Sequence, residues 1–224
     1  MHGLSHIKKQ RGFTLIEIAI VLVIIGLLLG GVLKGQELIQ SARVRNIVSQ
    51  QDGVKAAYFG FLDRYRALPG DYGNATNTIA GASSDGNNNG RIEASGAGVP
   101  IEEHVAVWEH LSKSGFINGS YTYNATEGAT TTPVNPYGAY VRLIHDAGYQ
   151  GGAGNPRHNL KTGAQIPSDI LAEVDRKIDD GAPGTGSFRF SDYSGAASAC
   201  VPTPPGNAWA MSAPNANCGG TTLF

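Results

Sequence analysis

From Phe13 to Leu33 the sequence carries a single charge, Glu17, and from Ile18 onward every residue in the run is apolar or glycine. A stretch of about 20 apolar residues is what a helix needs to cross a bilayer, so this run ties the chain to a membrane. Lys8, Lys9 and Arg11 stand just before it, which by the positive-inside rule keeps the N-terminus cytoplasmic and places the rest of the chain outside. A cleaved secretory signal would be shorter and followed by a small-residue cleavage site, whereas Leu33-Lys34-Gly35-Gln36 offers none. A plain anchor accounts for the length and the flanking charges but leaves Glu17 unexplained. An ionisable group within an apolar span costs ~2.5 kcal/mol or more and calls for a cationic partner.

The remaining composition limits the function. Charged residues make up only 16% of the 224-residue chain and the formal net charge is -1. Nucleic-acid binding through phosphate contacts needs clustered Lys and Arg, so no nucleic-acid partner is expected. The 31 glycines suit a loop-rich exported domain. Cys200 and Cys218 both lie on the exported side, where oxidising conditions allow a disulfide, and they are expected to pair.

No proline interrupts the chain from the apolar run to Arg66. Apolar residues at Leu38, Ile39, Ala42, Ile47, Val54, Tyr58, Phe61 and Tyr65 recur at spacings of three and four, which predicts one helix from about Thr14 to Arg66. Its second half must lean on a globular head, with Tyr58, Phe59, Phe61 and Tyr65 on the core-facing side. Gly26, Gly30, Gly31 and Gly35 suit close packing of neighbouring spans. Pro69-Gly70 then marks a turn.

In the loop beyond, Asp85-Gly86-Asn87-Asn88-Asn89-Gly90-Arg91-Ile92-Glu93 matches the first two thirds of an EF-hand-type calcium loop. Asp85, Asn87 and Asn89 would supply side-chain oxygens, Arg91 its carbonyl and Glu93 a carboxylate. Gly96 stands where a bidentate Glu is expected, so Glu102 or Glu103 would have to close the shell. A structural Ca2+ is the one cofactor expected here, against the alternative of an Asn- and Gly-rich turn without an ion.

Two short amphipathic helices follow by pattern. One spans 99–116, with Ile101, Val105, Trp108 and Leu111 buried and His104 and His110 at the surface; the other spans 167–181, with Ser168 as N-cap. Asp179 and Asp180 oppose the dipole at its C-terminal end, and local pairing with Arg176 and Lys177 and solvation are expected to compensate them, against the alternative of a second cation held with Asp175. Strands are expected over 140–145 and 187–191, with 148–163 returning to loop.

Gly12-Phe13-Thr14-Leu15-Ile16-Glu17, with basic residues before it and the apolar run after it, resembles the processing site of type IV prepilins and type II secretion pseudopilins. The resemblance implies cleavage between Gly12 and Phe13 by prepilin peptidase and N-methylation of Phe13. It also implies that Glu17 meets the Phe13 ammonium of a neighbouring subunit in a filament. Leu68-Pro69-Gly70-Asp71, the Asp85–Gly90 run, the Trp-bearing helix and Lys177-Ile178-Asp179-Asp180-Gly181 before a final cysteine pair are similar to a large group of pilin-like proteins with diverse roles.

The organisation expected is a leader over 1–12, an assembly half of the helix over 13–34, an amphipathic half over 35–66 and an exported head over 67–224. The fold class is α+β, a long helix on a small antiparallel sheet. The expected place is the inner membrane with the head periplasmic, or a filament after assembly. The expected partners are copies of itself or other pilins. A structural pilus or pseudopilus subunit is the leading function. A low-copy minor or tip subunit with a binding role is the rival. A tethered enzyme is weaker, because no Gly-x-Ser-x-Gly, His-Glu-x-x-His or phosphate loop occurs.

Overall fold

The computed structural model describes residues 12–191, 193, 198–202 and 208–224, so the expected leader lies outside the described residues except for Gly12. The chain divides into two contact units, one ending at Ala42 and one spanning Arg43–Phe224. Helix α1 (Leu15–Tyr65) contributes to both. It ends where Arg66 takes a left-handed conformation, φ 54°, just before the Pro69 turn.

In the first unit α1 buries nothing. Its most apolar 18-residue window has a mean hydropathy of 2.8 and is 0% buried, and among the described residues α1 is the one helix long and apolar enough to cross a membrane. A Cβ at Gly26, Gly30, Gly31 or Gly35 would meet nothing within 4 Å.

In the second unit α1 presents Val44, Ile47, Val54, Ala57, Tyr58 and Phe61 to the head. The expected core side is corrected at Phe59, which is 49% exposed, meets Tyr58 edge to face and lies tilted beside Phe224. Gly60 lies under the Phe116 ring, which a Cβ would approach to 2.8 Å. Only glycine allows the segment after the next long helix to come this near.

The sheet has four antiparallel strands: β1 (Arg142–Asp146), β2 (Arg157–Lys161), β3 (Phe188–Phe190) and β4 (Gly220–Leu223), in the order β1-β2-β4-β3. The two strands expected from sequence are the edges. Of the two central strands, β2 corrects the loop assignment of 148–163, and β4 lies beyond the last strand expected. They hide from pattern reading because they bury polar side chains that find partners, as most buried polar groups do. Thr221 donates to Asn159 Oδ1 at 2.9 Å, Thr222 to Gln51 Oε1 at 2.9 Å, and Lys161 to Asp146 at 2.7 Å.

Between α1 and the sheet region come a single turn, α2 (Ala75–Thr78), and then α3 (Glu103–Lys113). Every residue of α3 from Glu103 to Leu111 is buried, so α3 is a core helix, and the expected surface positions of His104 and His110 are corrected. His110 accepts the Gly70 N–H at Nδ1 (2.9 Å) and its Nε2 reaches the Ser84 carbonyl at 3.0 Å. Burial holds its pKa below the usual histidine value, so the neutral ring with its proton on Nε2 satisfies both contacts and pins the Pro69-Gly70 turn.

Helix α4 (Ser168–Ile178) is capped by Pro167, which corrects the expected role of Ser168. The Ser168 hydroxyl donates to the Ala210 carbonyl at 2.6 Å and accepts the Asn215 N–H at 3.0 Å. It therefore docks the C-terminal loop. Asp179 and Asp180 are compensated by the loop that follows rather than by Arg176 or Lys177. Asp179 accepts the Ser187 and Phe188 N–H groups, and Asp180 accepts Thr185 Oγ1 (2.6 Å) and the Ala182 N–H (2.8 Å).

Cys200 and Cys218 form the expected disulfide. Between them Trp209 packs near Phe188 and Phe190 and donates its indole N–H to Asp175 at 2.8 Å.

Candidate functional site

The start of α1 is organised by two side chains. Thr14 donates to Glu17 Oε2 from both its backbone N–H (2.7 Å) and its hydroxyl (2.8 Å), while the Glu17 N–H donates back to Thr14 Oγ1 at 3.3 Å. This is a reciprocal capping box, in which residues three apart satisfy N–H groups that the first helical turn leaves unpaired. The negative carboxylate also sits at the positive end of the helix dipole. Glu17 is thus held by its own chain through one oxygen, and its other oxygen takes no partner among the described residues. Phe13, directly ahead, is 84% exposed. Sequence reading selected Gly12, Phe13 and Glu17 but missed Thr14. The Thr-x-x-Glu spacing before an apolar run was the available signal.

Residues 7–33 match the family model described as the prokaryotic N-terminal methylation motif. This is a prepilin-type N-terminus. The motif implies processing by prepilin peptidase and assembly with other pilins, and together with an unburied apolar helix it fits membrane anchoring and a pilus. No curated protein and no solved structure matches the chain.

The head of this prepilin-like chain holds a second polar site at the expected calcium loop. Asp85 is taken up by Thr76, accepting its N–H at 2.9 Å and its hydroxyl at 2.7 Å. Asn87 Oδ1 accepts the Asn89 N–H, Asn89 Oδ1 accepts the Arg91 N–H, and the Asn89 amide donates to Glu93. The loop is organised on two carboxylates that sequence reading did not centre on. Asp71 accepts the N–H groups of Asn89 (2.9 Å) and Gly90 (2.8 Å), and Glu103 accepts those of Asn87 (3.0 Å) and Glu93 (3.1 Å). Among the described residues no group of three or more His, Cys, Asp or Glu is arranged to hold a metal.

Burial pushes the Glu103 carboxyl up to about 7; the accepted N–H groups oppose this, and the neighbouring Asp71 and Glu93 add to it. The folded head therefore keeps a proton on Glu103 at pH values where the unfolded chain has released it. Stability from this group is present below about 4.5 and is lost as pH rises towards 7. His158, held down at about 4 by burial and by His145, works in the opposite sense. Its unfolded form binds the proton first, so its contribution is lost as pH falls from 6.5 towards 4. In calcium-free buffer, the melting temperature of wild type relative to Glu103→Gln is expected to fall between pH 4.5 and 7. A constant difference across that window in thermal melts would refute the assignment.

Proposed function

We propose that the chain is a structural subunit of a type IV pilus or a type II secretion pseudopilus. In this reading prepilin peptidase cuts between Gly12 and Phe13, Phe13 is N-methylated, and Glu17 pairs with the Phe13 ammonium of the adjoining subunit. One observation carries it: the methylation motif at residues 7–33 runs directly into an apolar helix that its own chain leaves uncovered. The second Glu17 oxygen, which has no partner among the described residues, supports the pairing.

Mass spectrometry of the protein from its native host is expected to find a chain beginning at Phe13 with one added methyl group. A mature chain that keeps residues 1–12 would remove the proposal. Immunoelectron microscopy with antibody to the head separates the two roles within it: labelling along the filament marks a shaft subunit, and labelling at one end marks a tip subunit.

Calcium binding by Asp85, Asn87, Asn89, Arg91 and Glu93 belongs to the same proposal, supported by their spacing and by the nearby Asp71 and Glu103. Millimolar calcium is expected to raise the melting temperature of the head. An unchanged melt would discard the ion.

A further inference from the structure

A concavity of about 530 Å³ opens between α1 and the chain around and beyond α3. Asn46, Gln50 and Gly53 of α1 line it together with Trp108, Asn118 and Tyr121, and none of its lining residues is charged. The volume lies within the range of roughly 300–1,000 Å³ common to small-ligand sites.

Its polar groups are largely unused by the fold. The Asn46 and Asn118 amides and the Tyr121 hydroxyl have no hydrogen-bond partner among the described residues. The Gln50 amide nitrogen donates to the Val134 carbonyl at 2.9 Å, and its oxygen has no partner. Trp108 is fully buried, and its indole N–H has no acceptor. A buried tryptophan N–H usually finds a partner, and leaving such a donor unpaired is destabilising.

Gly53 is exposed within the helix, and a Cβ there would meet nothing within 4 Å. A glycine in a helix interior is less favourable than alanine, and no neighbour among the described residues fills the space it leaves.

We propose that this concavity binds a neutral saccharide. Hydroxyl groups both donate and accept, and the asparagine and glutamine amides are the uncharged side chains that offer both roles in one plane. Tyr121 and Phe116 are among the lining residues, and they supply apolar aromatic surface on which the C–H groups of a sugar can pack. The absence of charge in the lining disfavours anionic and cationic ligands alike, since a charge taken out of water needs a partner. This reading does not depend on filament assembly.

The test uses the full chain in lipid nanodiscs free of glycoside detergents, screened on an array of neutral oligosaccharides with sialylated and sulfated glycans as charged controls. Neutral glycans are expected to bind. Gly53→Leu, which fills the concavity without meeting a neighbour at Cβ, is expected to weaken binding at least tenfold with the melting temperature unchanged or higher. Asn118→Ala, at an exposed position, is expected to weaken it several-fold. The proposal is overturned if no neutral glycan binds, if only charged glycans bind, if Gly53→Leu binds as well as wild type, or if uncharged capped tetrapeptides in the same format bind in place of the glycans.

Discussion

Glu17→Ala is expected to abolish filament formation, reducing the yield of sheared filaments at least a hundredfold, while the head melts as in wild type. Opposite charges brought together away from bulk water attract far more strongly than in solvent, so loss of the acid is expected to weaken association between subunits. The alanine variant also leaves the Thr14 N–H and hydroxyl without their acceptor. Thr14→Ala separates the two contributions. It removes the two hydroxyl contacts of the cap, worth about 1 kcal/mol, leaves the backbone N–H of residue 14 on Glu17, and keeps the carboxylate for a neighbouring subunit, so its filaments should be fewer but present. Head stability should be unaffected in both variants, because the buried face of α1 begins at Val44. Glu17→Ala filaments equal to wild type in number and length would eliminate the charge-pairing account.

The second large effect is expected from the double variant Cys200→Ser, Cys218→Ser. The bridge closes a loop with a sequence separation of 18, for which the chain-entropy model predicts about 3 kcal/mol. For a head of this size each kcal/mol moves the melting temperature by about 2–4 °C, so a fall of roughly 6–12 °C should appear in thermal melts. Trp209 reports the structural cause. Its ring packs near Phe188 and Phe190 and its N–H is held by Asp175, so fluorescence of the variant should shift to the red well below the melting transition. Asp175→Ala, with the bridge intact, should redden the emission with a smaller loss of stability. Equal melting temperatures with and without the bridge would show that packing alone holds the loop.

Features set by local chemistry were readable from residue order. The membrane-length run, the acid within it, the long helix and the stop at Pro69 depend on neighbours along the chain, and α1 ends within a residue of where periodicity put its end. The cysteine pair was readable from compartment.

The readings that failed were those in which distant chain segments cover polar groups. Asn159, Lys161, Thr221 and Thr222 look like loop residues, yet they fill the middle of the sheet because Asp146, Gln51 and one another complete their hydrogen bonds. His104 and His110 looked like surface residues until other segments closed around α3 and buried them. Ser168 looked like a cap and became the dock for the C-terminal loop, because that loop arrives from more than 40 residues away.

The sequence by itself determined where the prepilin-type motif lies, which segment is apolar enough for a membrane and how far the first helix runs, since each depends on contiguous residues and their periodicity. Only the tertiary structure decided the central strands, the partners of the buried acids and histidines, and the uncharged concavity beside Gly53. Those depend on which remote groups meet, since a polar side chain is taken into the interior at least cost where a partner distant in the chain meets its hydrogen bonds.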